Sequence, residues 1–315
     1  MDLSPNDVRQ FGLTFVHLSV RDQQEYGLSL CDDLFRAIYG SPPECISDLW
    51  EDLCTTNVPT ARISAAENNL KGFKMFMMAN YFLWTYPRNV RLLQVHFAPV
   101  GAKQTSGKPF WIWVEKIAAF LPSKIEWLPQ LDDPNCAVFC TSVDGVDCIT
   151  NERRDHPLFP VNPQRCSHKF KHGALRYEVG VAVYEDRIVW VNGPFKAGAK
   201  NDITILRDGQ ADGSGSLLDK LQPGKMVVAD RGYRTGQANE ISKVAFKRDE
   251  DPQPLRRFKA RVMCRHETVN ARLKQFKCLS ERFRQDDDKH GLCFKAVAVI
   301  VQYHLTCGAT FLYDV

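Results

Sequence analysis

The amino-acid sequence predicts an α/β protein in which a mixed sheet flanked by helices follows an all-helical N-terminal domain. Apolar residues recur at three- and four-residue spacings up to residue 120, as they do in amphipathic helices. A stretch that contains three prolines covers residues 121–134, and after it the apolar residues form short continuous runs that are typical of buried strands. We therefore place the boundary near residue 130, between domains 1–130 and 131–315.

The composition is that of a globular protein without a membrane segment. Hydrophobic residues make up 44% of the 315 residues and charged residues 25%. No apolar run approaches the roughly 20 residues that span a bilayer, and the first residues have no signal-peptide pattern. Eleven cysteines without the spacing of a disulfide framework predict reduced thiols. We therefore expect a protein of the cytosol or nucleus.

Basic residues are concentrated in two segments, although the net charge is only +4. Residues 1–52 carry a charge of −7, residues 53–124 carry +7 and residues 255–284 carry +8. Concentrated positive charge is typical of a surface that binds a polyanion. The charge pattern therefore favours nucleic acid as the partner, although an ordinary solvated helix face explains any one of these segments equally well.

Three helices are predicted before residue 87. The first covers residues 8–38 and ends before the breaker Gly40-Ser-Pro-Pro, and the second covers residues 44–53. The third covers residues 65–84 and stops before Pro87. An aromatic and methionine stripe on the third helix is expected to be core, and it consists of Phe73, Met77, Tyr81 and Trp84.

A possible helix-turn-helix follows over residues 88–120, where two helical segments are separated by a short break that contains Gly101. In such a motif the N-terminal end of the second helix enters the major groove. Lys108 would then be among the first residues to meet DNA, and Arg88 and Arg91 would lie near phosphates. A plain helical hairpin has the same layout, so the sequence leaves both interpretations open.

The second domain is predicted to contain four strands and four helices. Runs rich in β-branched and aromatic residues predict the strands, at residues 137–143, 175–184, 187–191 and 226–229. The two middle strands form a hairpin through the turn Glu185-Asp186. The helices are expected at residues 202–206, 217–221, 255–283 and 291–307, with Asp202 as the cap of the first.

Two of the predicted strands end on an acidic residue. The run 137–143 stops at Asp144, and the run 226–229 stops at Asp230. A strand that is buried on both faces usually lies in the middle of a sheet, and the residue that leaves its end lies in the crevice where ligands bind. The two aspartates therefore predict a two-acid site at one end of the sheet.

A third acid lies on the predicted helix 255–283. An apolar stripe on this helix is expected to pack on the sheet, and it consists of Val262, Val269, Phe276 and Phe283. Glu267 lies about 140–160° around the helix from this stripe, with Asn270 and Lys274 on its side. Glu267 is thus an acid in the middle of the most basic helix, although an exposed glutamate with helix-face ion pairs fits the same pattern.

The three acids resemble the DDE triad of RNase H-like transposases and integrases. Asp144 and Asp230 are 86 residues apart, and Glu267 follows 37 residues later. Three motifs are more closely similar to the Harbinger (PIF/Harbinger) branch and its bacterial insertion-sequence relatives: Val143-Asp-Gly-Val146, Ala229-Asp-Arg-Gly-Tyr233 and Arg265-His-Glu-Thr-Val-Asn-Ala-Arg-Leu-Lys-Gln-Phe276. Segments around the hairpin and in the N-terminal helices also resemble this family, so the resemblance covers most of the chain.

The resemblance implies an RNase H-like catalytic domain and the activity of a DNA transposase or endonuclease. Asp144 would bridge two Mg²⁺ ions, or Mn²⁺ ions in their place, and Asp230 and Glu267 would each hold one. The reaction would be metal-dependent phosphodiester hydrolysis and strand transfer at transposon ends. The family also implies a nuclear protein that acts on DNA as a homo-oligomer, with a Myb-like accessory DNA-binding protein.

Basic residues near the acids are expected to contact DNA phosphates, which makes the affinity depend steeply on salt. They are Arg231, Arg256, Arg257, Lys259, Arg261, Arg265 and Lys274. The basic run at residues 254–261 is also a weak nuclear import signal.

Alternatives remain for the first acid, the metal and the function. Asp147 lies three residues after Asp144 and would face the opposite side of an extended chain, so Asp144 is preferred. Zinc is a weaker choice because the cysteines and histidines lack the spacing of a standard module; they are Cys136, Cys140, Cys148, Cys166, His168 and His172. A domesticated, transposase-derived nuclease or DNA-binding protein that no longer transposes is the alternative function.

Overall fold

The computed structural model describes residues 1–89, 93, 97, 109–151, 162–210, 213 and 215–308. The predicted helix-turn-helix lies largely outside these residues, and so do Arg91 and Lys108. The chain forms two compact units. Unit 1 contains Met1–Lys124, Leu273–Glu281 and residues 292–308, whereas unit 2 contains Ile125–Arg272 and Arg282–Gly291. The chain thus divides at residue 124, and two C-terminal segments of the predicted second domain belong to unit 1.

The N-terminal part of unit 1 is helical, as the sequence predicts. Its helices are α1 (Pro5–Phe15), α2 (Val20–Tyr39), α3 (Pro43–Thr55), α4 (Leu70–Thr85), α5 (Pro109–Ala119) and α6 (Leu121–Lys124). The single helix predicted at residues 8–38 is wrong, because the chain breaks between α1 and α2. His17 there has a positive φ of 71°, and Ser19 then caps α2 in a capping box with Asp22.

Aromatic side chains fill the core of unit 1. The ring of Trp50 lies 5.0 Å from that of Phe73 and 5.6 Å from that of Trp113, between ring centroids. Phe73 and Met77 of the predicted stripe are fully buried. Their expected place in the core is therefore confirmed.

Unit 2 is built on a mixed five-stranded sheet, which confirms the predicted α/β class. The strands are β1 (Phe139–Ile149), β2 (Ala174–Ala182), β3 (Ile188–Lys196), β4 (Met226–Ala229) and β5 (Val244–Ala245), in the order β3-β2-β1-β4-β5. The first three pair antiparallel, whereas β1, β4 and β5 pair parallel. The predicted hairpin corresponds to β2 and β3.

Strand β1 is longer than predicted and does not end at Asp144. It continues to Ile149 because β2 pairs with it as far as the pair Ile149 and Ala174. Its other neighbour, β4, pairs with it only as far as Val143 and Ala229. Asp144 therefore lies in the middle of a strand, at the point where the parallel neighbour ends.

The described helices after residue 124 are both short and long. They are α7 (Pro129–Asp132), α8 (Asp202–Arg207), α9 (Leu217–Lys220), α10 (Ala238–Ile241), α11 (Gln253–Gln275), α12 (Lys277–Ser280) and α13 (Asp287–Thr306). The helix predicted at residues 255–283 ends early, because Phe276 has an extended backbone with ψ of 115°. The predicted cap of α8 is also wrong, since the side chain of Asn201 accepts from the Thr204 amide.

The sheet has an apolar layer on each face. One layer includes Val143, Trp190, Val227 and Tyr233. On the other, Val262 of α11 packs with Val183 and Val228, as the predicted stripe required. Among the described residues, no helix combines the length and the apolar content that crossing a membrane requires.

Candidate functional site

The sheet register places Asp144 and Asp230 side by side. Val143 and Ala229 form the last pair between the parallel strands β1 and β4, and each aspartate is the next residue in the chain after its member of this pair. The carboxyl ends of parallel strands are where ligands bind in α/β sheets. The structure therefore brings the first two predicted acids to one such end, although β1 itself continues.

The carboxyl group of Asp144 is partly buried and lies among other acids. Burial and, to a smaller extent, the negative charges of Asp230, Glu267 and Asp202 together raise the pKa of Asp144 to about 7. The Asn270 amide donates a hydrogen bond from Nδ2 to Asp144 Oδ2 at 3.0 Å. A bound cation would favour the ionised form of a carboxyl group whose pKa is raised in this way.

Glu267 is carried by α11, which is fixed to β1 by the residues on either side of it. The Ser142 hydroxyl and His266 Nδ1 are hydrogen bonded at 2.8 Å, and Asn270 binds Asp144 one turn later. Burial lowers the pKa of His266 to about 3, so the ring is neutral. Glu267 itself is exposed between these two anchors, and its charge acts on Asp144.

The Asp230 carboxylate begins a short turn. Its Oδ1 accepts from the Gly232 amide at 2.7 Å, so Asp230 caps the 3₁₀ turn Arg231–Tyr233. The residue is exposed. One carboxylate oxygen is therefore fixed by the backbone of the residues that follow β4.

A fourth acid, Asp202, joins these three, and the sequence analysis assigned it only a capping role. Its Oδ1 accepts from Arg176 Nη1 at 2.7 Å. Burial raises the pKa of Asp202; the Arg176 charge opposes this, and the charge of Asp230 adds to it. The sequence signal for this position was the adjacent pair Asn201-Asp202. Only one of two such residues can cap the helix, so the other is available for another role.

Asp147 is bound within the protein on the opposite face of β1. Arg176 donates to it twice, from Nε to Oδ1 at 2.6 Å and from Nη2 to Oδ2 at 3.0 Å. The Ser167 hydroxyl also donates to Asp147 Oδ2 at 2.5 Å. Such a bidentate pair is a strong, geometrically fixed interaction. Asp147 is therefore a partner of Arg176 and does not belong to the Asp144 group.

Glu178 is a second acid that sequence reasoning missed. It is fully buried and pairs in register with Gly145, next to Asp144. Its Oε2 accepts from Trp190 Nε1 at 2.9 Å, and burial raises its pKa to about 8. Glu178 is therefore uncharged at neutral pH and adds no negative charge to the site.

The predicted DNA-binding residues fall into two groups. Arg88, Arg231, Arg257 and Arg261 are exposed, and Arg256 is half-buried. Lys259 is buried against Asp251 and the Phe246 carbonyl, and Arg265 is buried against Asp186 and the Glu185 carbonyl. Lys274 donates to the Leu279 carbonyl. Lys259 and Arg265 do not belong to the exposed basic surface, which corrects their assignment as DNA-contacting residues.

No metal-binding cluster is assembled in the part of the chain that the structure describes, where no three Asp, Glu, His or Cys side chains converge closely enough to ligate one ion. Of the zinc candidates, Cys140 and Cys148 are buried in β1, and His168 and His172 are exposed. The four acids Asp144, Asp202, Asp230 and Glu267 lie near one another but do not converge on one point. Like charges separate when no cation holds them together.

No family model, curated protein or solved structure matches this chain. The resemblance to transposases therefore rests on the residues and motifs themselves.

Proposed function

We propose that the chain is a metal-dependent DNA endonuclease with the RNase H-like DDE architecture of a transposase. One observation carries the proposal. Asp144, Asp230 and Glu267, selected from the sequence because of their motifs and spacing, lie close enough for the charges of the other two to raise the pKa of Asp144. Three carboxylates from distant parts of a chain gather in this way where a divalent cation is bound.

The donor set fits hard divalent cations. The group consists of Asp144, Asp202, Asp230 and Glu267. Arg176 binds Asp202 but also binds Asp147, which lies outside the group and balances its charge, so four negative charges remain when all four acids are ionised. Two divalent ions would neutralise them, and Mg²⁺ or Mn²⁺ is suited to such oxygen ligands.

In this proposal Asp144, Asp230 and Glu267 would hold the ions, with Asp144 as the ligand that the site shares. When bound, the ions would supply Lewis-acid activation of a phosphodiester. Asn270 orients the Asp144 carboxylate through its Nδ2. The Ser142–His266 hydrogen bond fixes the helix turn that carries Glu267. No protein side chain forms a covalent bond to the substrate.

The exposed face of α11 supports DNA as the substrate. Arg257 and Arg261 are exposed on the same helix as Glu267. At the geometry of an α-helix, Arg261 lies about 9 Å along the axis and about 120° around it from Glu267, and Arg257 lies about 15 Å along and about 80° around. A nucleic-acid strand that crosses the helix obliquely, with its scissile phosphate at Glu267, would bring neighbouring phosphates toward these arginines.

Nicking of supercoiled plasmid in the presence of Mg²⁺ tests the proposal. We expect Asp144→Asn to reduce nicking at least about 100-fold, because a shared ligand of both ions is lost. Glu250→Gln, which changes an exposed acid outside the site, is the matched control and should nick at the wild-type rate. If Asp144→Asn nicks as fast as wild type, the protein is not this nuclease.

Strand transfer is a separate part of the proposal. A DNA end with a free 3′-hydroxyl is supplied together with a plasmid target, and joined products are measured. Joining supports a transposase, whereas nicking without joining supports a domesticated nuclease. A protein that binds DNA but neither nicks nor joins it would be a transposase-derived binding protein, and the carboxylate group argues against that outcome.

A further inference from the structure

Asp202 reaches the acids from the face of the sheet opposite to Asp144. Gly145 pairs with Glu178, so positions 145 and 178 share one face of the sheet and Asp144 points to the other. A Cβ at Gly145 would lie 3.2 Å from Asp202 Oδ1. Because Gly145 has no side chain, Asp202 can approach the backbone beside Asp144 from this second face.

A second glycine brings Asp202 next to Asp230. A Cβ at Gly232 would lie only 2.5 Å from Asp202 Oδ2 and 2.9 Å from Asp230 Oδ1. Both oxygens therefore occupy the space that a side chain at position 232 would fill. Two carboxylates this close repel each other in the absence of a cation.

Arg176 fixes one oxygen of Asp202 and leaves the other toward Asp230. The guanidinium bonds to Oδ1, and it also holds Asp147 with two bonds. The side chain of Arg176 is 15% exposed and that of Asp202 is 25% exposed. The buried guanidinium thus sets the direction of Asp202, with Oδ2 on the side of Gly232.

An independent observation beside Asp144 also indicates a bound ligand. Asn270 is 9% exposed, its Nδ2 donates to Asp144, and its Oδ1 is buried without a hydrogen-bond partner. An unpaired buried acceptor is costly. Amide oxygens of this kind ligate hard cations or accept from the waters around them.

We infer that Asp202 is a fourth carboxylate of the site, which together with Asp230 holds a divalent cation, and that Arg176 positions it for this task. The inference rests on the proposed metal-dependent function. It adds a ligand residue that the three predicted acids do not include. It also explains why a residue at a helix start is bound to a buried arginine.

Calorimetric titration of the full chain with Mn²⁺ alone, without DNA, tests this inference. We expect wild type to bind two ions, and Asp202→Asn to bind one of them at least about tenfold more weakly. The control is Asp208→Asn, which changes an acid just after the same helix that pairs with Lys200. It should bind like wild type. Two ions bound by Asp202→Asn with wild-type affinity would overturn the inference.

A second variant covers the case in which Asp202→Asn does not fold. Gly232→Ala keeps every charge but forces Asp202 Oδ2 and Asp230 Oδ1 apart, so it should also weaken one Mn²⁺ site. Circular dichroism reports whether each variant is folded, and the melting temperature with and without Mn²⁺ reports binding. Unchanged Mn²⁺ stabilisation of folded Gly232→Ala contradicts the inference.

The proposed function and the inference can fail separately. If Asp144→Asn and Asp230→Asn lose Mn²⁺ binding while Asp202→Asn and Gly232→Ala retain it, Asp202 is not a ligand and the nuclease proposal stands. If wild type binds no Mn²⁺, both the metal-dependent function and the role of Asp202 are wrong.

Discussion

Asp144 and Asp230 are neighbours because each follows directly on one residue of the last pair, Val143 and Ala229, between two parallel strands. Asp144 nevertheless stays within β1, where β2 continues to pair with it. The first acid is therefore held on a rigid strand, whereas the second begins a turn. This arrangement is consistent with the proposed cation site, in which Asp144 would be the ligand held on the strand.

The raised pKa of Asp144 predicts how the stability of the metal-free protein depends on pH. A carboxyl group whose pKa is about 7 in the folded chain binds its proton more tightly than in the unfolded chain. Its contribution to the free energy of unfolding is therefore full below pH 4 and is lost as the pH rises to 7. Asp144→Asn should remove this loss, which is at most about 4 kcal/mol, and so stabilise the metal-free protein at pH 8.

Urea unfolding of wild type and Asp144→Asn in EDTA at pH 4, 6 and 8 measures this difference. Asp219 is a control for which the opposite effect on stability is expected, because hydrogen bonds from Ser216 lower its pKa. Asp219→Asn should lower the stability at pH 8. A difference between Asp144→Asn and wild type that does not change with pH would refute the prediction.

Arg176 and Asp147 form a pair that we expect to stabilise the fold. Arg176→Ala leaves the 4%-exposed Asp147 side chain without its cation, which should cost about 3–5 kcal/mol in the free energy of unfolding. Lys200→Ala is the control, because Lys200 pairs with Asp208 and these side chains are 38% and 31% exposed, so the carboxylate stays in contact with water when the cation is removed. It should cost clearly less in urea unfolding. Equal costs would show that the Arg176 pair has no special role.

The sequence predicted the sheet and the acids that lie together at its end better than it predicted their surroundings. Apolar runs show where strands lie, and the acid that follows each run is visible directly. The end of β1 was missed because strand length depends on the partner, and β2 pairs with residues 144–149 whatever their polarity. The place of Asp202 beside these acids was missed because it depends on Gly145 and Gly232, which are distant from it in sequence but next to it in space.

Arginines on the exposed face of α11 should determine the salt dependence of DNA binding. Arg257→Ala and Arg261→Ala should each reduce the slope of log affinity against log salt by about 0.9, the value for one lost phosphate contact. Fluorescence anisotropy with a labelled duplex at several salt concentrations measures the slope. Arg265→Ala is the comparison, because Arg265 is buried and binds Asp186. This substitution should lower the stability of the fold and leave the salt slope unchanged. Unchanged slopes for both exposed arginines would place the DNA elsewhere.

Asn270 should control the pH at which the site becomes active. Its Nδ2 donates to Asp144 Oδ2 and so favours the ionised carboxylate. Asn270→Leu removes a hydrogen bond to a charged group, worth about 1.5 kcal/mol or more, which raises the pKa of Asp144 by about one unit. The midpoint of Mn²⁺ binding against pH should therefore move upward by that amount, since only the ionised acid binds the cation. Thr268→Ala changes a neighbour that donates to the Cys264 carbonyl within the helix and should leave the midpoint in place. A weaker affinity with an unshifted midpoint would mean that Asn270 acts through packing, because loss of packing does not change which protonation state of Asp144 is preferred.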